Sequence, residues 1–260
     1  MSNEKSENAI SEKKNTSVAV PSVFLDDANS GLETLTADDI TIPRLKVLQA
    51  MSPEVMKSDS KYVEGASAGD IINTVTSKLY TDEKPLVVLP VAYKRLFLEW
   101  GPRESGGGLV AQHEDASILS KTSRDNLGRD MLENGNYIQT SATHFVLSLH
   151  EDGSYDTAMI AMAGTQLKKS RTWNSVMASI KMKSGDKVFT PASFSHKYIM
   201  KTKAESNDRG TWFGWNITLD GPLVENEMFF YEAAKGFSAT VGDVNLSQTT
   251  DSDASPEAPF

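Results

Sequence analysis

The chain has 260 residues, no cysteine, 39% hydrophobic residues and a net charge of −9. The lack of cysteine excludes a disulfide framework and a thiolate metal site, and the length suits either one domain of about 150–200 residues with flexible ends or two small domains. Residues 1–20 are polar and no apolar run approaches a length of about 18, so we expect no secretory signal, no membrane helix and a cytoplasmic protein.

The acidic charge is unevenly distributed along the chain. Residues 1–41 carry −5 and residues 220–260 carry −7, whereas residues 165–203 carry +8. That central segment holds nine basic residues against the single acid Asp186. A basic segment of this kind indicates an anionic partner such as nucleic acid, which the overall charge conceals.

The amino-terminal segment, residues 1–37, is predicted to be disordered or flexible. Its first 30 residues lack hydrophobic periodicity and are rich in Ser, Asn, Glu and Lys. One ordered domain is predicted over residues 38–236. It begins with an apolar stretch at residues 42–48, which suits either a short helix after Pro43 or an extended segment.

Strands are predicted in the first half of this domain. Residues 86–100 are strongly β-prone, and Pro90 predicts a break or bulge because proline has no N–H for a ladder hydrogen bond. Residues 101–108 contain three consecutive glycines and predict a mobile loop. Residues 144–150 and 157–163 predict a hairpin around the turn sequence Glu-Asp-Gly-Ser.

The second half mixes helices and strands. Residues 165–183 predict a helix with apolar residues on one face and most basic residues on the other. Two more strands are predicted at residues 194–202 and 211–219, joined by a polar loop at residues 205–210, and a last helix at residues 223–234. These elements predict a mainly β (α+β) fold: a small OB-like β-barrel with an inserted helix and extra elements. A β-sandwich is the structural alternative.

Three segments supply the cations and aromatic rings that non-specific binding of a single nucleic-acid strand requires, the third of them rings alone. They cover residues 93–103, 168–203 and 211–216. The predicted strand-binding residues are Lys94, Arg95, Arg103, Lys168, Lys169, Arg171, Trp173, Lys181, Lys183, Lys197, Tyr198, Lys201, Lys203, Trp212 and Trp215. In the alternative interpretation the lysines form a solvated helix face, Trp173 and the rings at 211–216 belong to the core, and residues 93–103 form a hairpin connection without a ligand.

Enzyme signatures are weak. The glycine run at residues 106–108 lacks the Gly-Lys-Ser/Thr ending of a phosphate loop, and the four histidines show no metal-ligand spacing. We therefore predict a protein that is not an enzyme and that has no cofactor and no metal. A nuclease carboxylate set stays open, because acidic residues are abundant and none is marked.

Residues 237–260 are predicted to be a disordered acidic tail. Its predicted partner-binding residues are Asp251, Asp253, Glu257, Pro259 and Phe260. This ending resembles the tip of bacterial single-stranded DNA-binding proteins and is similar to the tails of phage replication proteins of that kind, although its acids are fewer and more widely spaced. Residues 163–175, together with residues 39–43 and the loop at 100–108, look like proteins of tailed phages thought to bind single-stranded DNA.

The resemblance implies an OB-fold protein that coats single-stranded DNA in phage replication, recombination and repair. It also implies that the tail recruits a polymerase, helicase or nuclease and competes with DNA for the basic groove. A homo-oligomer is compatible with this reading, and a membrane partner is not expected. The first alternative is a phage structural or assembly protein that binds other proteins and not DNA; a nuclease or annealing recombinase is the second.

Overall fold

The protein is described by a computed structural model over residues 21–35, 39–102, 107–208 and 210–241. The chain divides into two units, residues 1–40 and residues 41–260. In the first unit, helix α1 (Ser22–Asp26) buries none of its residues. This helix lies inside the segment that the sequence predicts to be flexible.

The second unit is mainly β, as predicted, and its large sheet is curled into a half-barrel. The strands are β1 (Leu45–Val47), β2 (Ile71–Asn73), β3 (Leu79–Tyr80), β4 (Leu86–Trp100), β5 (Leu109–His113), β6 (Ser123–Arg124), β7 (Asp130–Met131), β8 (Tyr137–Leu149), β9 (Tyr155–Ala163), β10 (Met182–Ser184), β11 (Lys187–Phe189), β12 (His196–Asn207) and β13 (Gly210–Pro222). The apolar stretch at residues 42–48 is therefore extended, because β1 lies within it.

The half-barrel is an eight-stranded antiparallel sheet. Its strand order is β13-β12-β4-β8-β7-β6, with β5 also paired to β4 and β9 also paired to β8. Strands β1, β2 and β3 form a separate three-stranded sheet, and β10 and β11 form a two-stranded hairpin. The predicted hairpin at residues 144–163 is confirmed as β8 and β9, which pair from Ser141 to Leu149.

Strand β4 carries the bulge that Pro90 predicts. Its register against β8 shifts between Pro90 and Ala92. Before the bulge, Val88 is opposite Ser148, and after it Tyr93 is opposite His144. Proline cannot donate to the ladder, so the irregularity lies where a backbone hydrogen bond is missing in any case. The bulge sets which residues beyond it face each side of the sheet.

Two helices cover opposite faces of the sheet. Helix α2 (Leu167–Ser179) packs Trp173 against the face that carries Val146 and Ile160. Helix α3 (Met228–Thr240) packs Phe230 and Ala234 against the face that carries Leu89 and Leu147. Side chains of a strand alternate between faces, so both faces of β8 are buried over residues 141–148.

The structure corrects three predicted boundaries. The helix predicted to reach residue 183 ends at Ser179, because Ile180 has an extended backbone (ψ 127) and the chain continues into the β10–β11 hairpin. The polar loop predicted at residues 205–210 is largely strand, since β12 and β13 stay paired as far as Asn207 and Gly210. The last helix begins after a 3₁₀ turn at Glu225–Glu227 and extends to Thr240, past the predicted end.

Candidate nucleic-acid interface

The exposed part of β4 lies beside helix α2. Beyond the bulge, Tyr93 and Arg95 are two residues apart and therefore point to the same face of the strand. They are opposite His144 and Ala142 of β8, on the face that α2 covers. Lys94 points to the other face and forms an ion pair with Glu114, with a distance of 3.6 Å between Nζ and Oε1.

Four aromatic rings form a contiguous cluster that leads from the surface into the core. Tyr93 contacts His144 with ring centroids 5.0 Å apart, and His144 stacks on Trp173 at 4.4 Å with an interplanar angle of 26°. Trp173 in turn meets Tyr198 edge-on at 5.6 Å. Tyr93 is 39% exposed, whereas Trp173 and Tyr198 are buried. The exposed tyrosine therefore rests on an aromatic support that is fixed by the core.

A hydrogen bond orients the imidazole of His144 in this aromatic cluster. The Nε2 atom of His144 lies 2.8 Å from Oγ of Ser170, and both side chains are buried. Burial lowers the pKa of His144 to about 3, so the ring is neutral near pH 7. A neutral histidine adds no charge here, and the positive charge at this surface comes from arginine and lysine.

A surface pocket lies where β4, β8 and α2 meet. It has a volume of about 210 Å³ and is lined by Tyr93, Arg95, Thr140, Ala142, Leu167, Ser170 and Arg171. Two guanidinium groups and one aromatic ring line it, and no carboxylate does. Guanidinium groups bind phosphate oxygens through paired N–H donors, so this lining suits an anion beside a planar group.

The predicted cations differ in what they contact. Lys169, Lys197 and Lys201 form ion pairs with Glu205, Glu227 and Asp82, at distances of 2.5, 2.6 and 3.7 Å. Among the described residues, no acidic partner is found for Arg95, Lys168, Arg171, Lys183 and Lys203. This second group is the one available to bind phosphate.

The cations of this second group extend away from the pocket along α2 and β12. Lys168 and Arg171 are three residues apart and are neighbours on the surface of the helix. Lys203 lies on the same strand face as Glu205, and Glu205 forms an ion pair with Lys169 of α2. The path thus runs from the pocket over the first turns of α2 to β12.

Most of the predicted stacking rings lie in the core. Trp173, Tyr198 and Trp215 are 2%, 1% and 3% exposed and belong to one apolar cluster. Their burial corrects the assignment of these rings as stacking residues, since none presents a face to a base. Trp212 is half-buried, and its Nε1 donates to Oε2 of Glu205 at 3.2 Å. The exposed ring at the pocket is Tyr93, which period-two alternation already places on the same face as Arg95.

Two predicted basic residues lie outside the helix to which the sequence assigned them. Lys181 follows the end of α2 and donates to the carbonyl of Ala178 and to the hydroxyl of Thr190. Lys183 lies in β10 and is exposed. Arg103 and the predicted tail residues Asp251, Asp253, Glu257, Pro259 and Phe260 lie outside the described residues.

Two negative findings concern metal binding and membrane-spanning helices within the described residues. Over these ranges no group of three or more His, Cys, Asp or Glu side chains is arranged to hold a metal ion. In the same part of the chain, no helix has the length and apolar character needed to span a membrane.

Comparison with known proteins gives one result. A protein-family model described as Pam3 phage gp34-like protein matches residues 12–246, which is well over half of the chain. No curated protein and no solved structure matches the chain. The matched region includes every described strand and helix. The chain therefore belongs to the Pam3 phage gp34-like protein family, which indicates a phage origin.

Proposed function

We propose that the protein binds single-stranded DNA without sequence preference and is not an enzyme. It would coat DNA during phage replication, recombination and repair, and recruit a polymerase, helicase or nuclease through its acidic tail. The observation that carries this proposal is the pocket in which Arg95 and Arg171 flank the exposed ring of Tyr93. This pocket offers phosphate contacts and a stacking surface side by side, the two interactions that a single strand needs.

The size of the pocket favours a strand over an enclosed small molecule. Its volume of about 210 Å³ lies below the roughly 300–1,000 Å³ typical of pockets that enclose a drug-sized ligand. A single phosphate or sugar-phosphate unit suits such a site, while the rest of the ligand continues outside. Lys168 and Lys203, which have no acidic partner among the described residues, supply further phosphate contacts along the path over α2 and β12.

The connectivity of five long strands supports an OB-like fold. Strand β4 pairs with β8 and β12, β8 pairs with β9, and β12 pairs with β13, while α2 connects β9 to β12 through the β10–β11 hairpin. An OB barrel is a five-stranded, partly open barrel of related connectivity. Between β9 and β13 lies the segment from Pro43 to Gln49, which bonds to Met159 on one side and to Phe213 on the other.

One observation favours the alternative of a phage structural or assembly protein that does not bind DNA. Four apolar side chains are exposed where β13 leads into α3: Leu219, Val224, Met228 and Phe229. Exposed apolar patches often mark protein–protein contacts. This alternative predicts that the protein does not bind DNA at any salt concentration.

The test is a titration of a fluorescently labelled oligo-dT, read by anisotropy. Anisotropy is the better readout because Trp100, Trp173 and Trp215 are buried and cannot report base stacking directly. We expect binding whose logarithm falls linearly with the logarithm of salt concentration, with a slope of about −0.7 per phosphate contacted. Absence of any anisotropy change at low salt refutes the proposal.

Pocket variants locate the binding site. Replacing both Arg95 and Arg171 with Gln should reduce the salt slope by about 1.4, because two phosphate contacts are lost. Tyr93→Ala should weaken binding roughly tenfold, the cost of one base stack. Arg124→Gln is the matched control, since Arg124 is exposed on β6 at the other end of the strand order from β12 and β13. Equal losses in all three variants would argue against a specific site.

A further inference from the structure

A small β-hairpin projects from the chain between α2 and β12. Its strands pair Met182 with Phe189, Lys183 with Val188 and Ser184 with Lys187. The two-residue turn begins with Gly185 at φ 58, a left-handed conformation that glycine adopts without strain and that a type II′ hairpin turn requires at this position. The hairpin is thus a regular structure with a defined arrangement of side chains.

The base of this hairpin is tied to α2. The ammonium group of Lys181 donates to the carbonyl of Ala178 in α2 and to the hydroxyl of Thr190, just beyond β11. Lys181 therefore has a structural partner on each side of the hairpin. The lysines of the hairpin itself, Lys183 and Lys187, have no acidic partner among the described residues.

All residues of β10 and β11 are exposed, including apolar ones. Directly opposed residues of an antiparallel pair share a face, so Met182 and Phe189 lie together, at 40% and 38% exposure. Val188, 62% exposed, lies on the other face. A two-stranded hairpin is marginally stable on its own, and this one has no further strand paired to it among the described residues.

We propose that the Met182–Phe189 face of the hairpin stacks a nucleobase of the bound single strand, while Lys187, which shares this face, contacts a phosphate of the same strand. This proposal rests on the proposed function and adds a second contact point, separate from the pocket at Tyr93. Charge indicates the occupant: Lys187 lies on the same face as the exposed ring of Phe189, no acidic partner is found for it among the described residues, and Asp186 is the one acid within the hairpin sequence. A partner that is anionic and also has apolar planar faces fits this surface, and single-stranded nucleic acid has both properties.

The test uses the full chain and labelled oligo-dT. Phe189→Ala should weaken binding roughly tenfold, and Phe189→Trp should restore it, because a larger ring stacks at least as well. Val188→Ala, on the opposite face, is the matched control and should bind as the wild type does. Lys187→Gln should reduce the salt slope by about 0.7, whereas Lys183→Gln, on the face of Val188, should leave the slope unchanged. Circular dichroism and the urea midpoint verify that each variant is folded.

The outcomes separate this proposal from the proposed function. If the pocket variants weaken binding and Phe189→Ala does not, the protein binds DNA and the hairpin proposal is wrong. If the wild type does not bind oligo-dT, both are wrong. If Phe189→Ala instead changes the sedimentation of the free protein, the hairpin joins two copies of the chain, and the nucleobase assignment is overturned.

Discussion

The imidazole of His144 stacks on the indole of Trp173, with ring centroids 4.4 Å apart, and so joins strand β8 to helix α2. The same imidazole supports the exposed ring of Tyr93 and bonds to Ser170, which lines the candidate pocket. His144 is thus one of the contacts that hold α2 on the sheet beside β4.

We predict that His144 makes the fold sensitive to mild acid. Its folded pKa of about 3 lies well below the ordinary value of about 6.5, so the unfolded chain binds the proton more readily. Its contribution to stability is complete above about pH 6.5 and is lost as the pH falls towards 3, with a slope of up to about 1.4 kcal/mol per pH unit. Urea unfolding at several pH values measures this slope.

The variant His144→Gln isolates this contribution. Glutamine can still bond to Ser170 but does not titrate, so the variant should lose less stability than the wild type between pH 6.5 and 4.5. Burial also lowers the pKa of His196, which contributes in the same direction and remains in both proteins. Equal slopes for the variant and the wild type would contradict the prediction.

We predict that Tyr198→Phe leaves the protein as stable as the wild type or up to about 1 kcal/mol more stable. The Tyr198 hydroxyl is buried without a hydrogen-bond partner among the described residues, and its burial raises its pKa to about 12. Removing an unsatisfied polar atom removes a desolvation cost, while the ring keeps its contact with Trp173. Urea unfolding measures the change.

The same variant tests whether the hydroxyl group of Tyr198 contacts DNA. Because Tyr198 is 1% exposed, Tyr198→Phe should bind oligo-dT with unchanged affinity. Tyr198→Ala is the contrasting variant: removal of a buried aromatic side chain should cost about 3–5 kcal/mol of stability. If Tyr198→Phe lost DNA affinity while its stability stayed normal, the hydroxyl group of Tyr198 would belong to the interface.

Local signals in the sequence predicted the strands better than the site. Pro90 marked the bulge because proline lacks an N–H, and the Glu-Asp-Gly-Ser turn marked the β8–β9 hairpin. The sequence does not mark the end of α2, because no glycine or proline occurs between Gly164 and Gly185. Helical spacing placed Trp173 on an apolar face but could not reveal that this face packs on His144.

The candidate pocket depends on contacts between residues that are far apart in sequence. Alternation along β4 puts Tyr93 and Arg95 on one face, and this could be predicted. Their proximity to Arg171 requires the register of β4 against β8 and the docking of α2 on that pair. Neither follows from a local pattern, so the sequence predicts which residue types contact the ligand but not which of them lie close together.

We predict that deletion of residues 251–260 leaves the affinity for oligo-dT equal or higher. This segment carries Asp251, Asp253 and Glu257 and no basic residue, so we expect it to compete electrostatically with DNA for the same cations. The effect should fade as salt rises, because screening weakens the competition. Anisotropy titrations at two salt concentrations measure it. A clear loss of affinity on deletion would show that the tail aids binding.

We predict that Glu205→Gln raises the affinity for oligo-dT several-fold. Glu205 accepts hydrogen bonds from Lys169 and from Nε1 of Trp212, so it neutralises one cation of the candidate interface. Removing its charge frees Lys169 for a phosphate contact and should steepen the salt slope by about 0.7. Glu54→Gln is the matched control, because Glu54 pairs with Lys46 at 3.0 Å, a lysine that is not part of the interface. If both variants raise affinity equally, the gain reflects net charge alone; if Glu205→Gln weakens binding, the ion pair itself orders the interface.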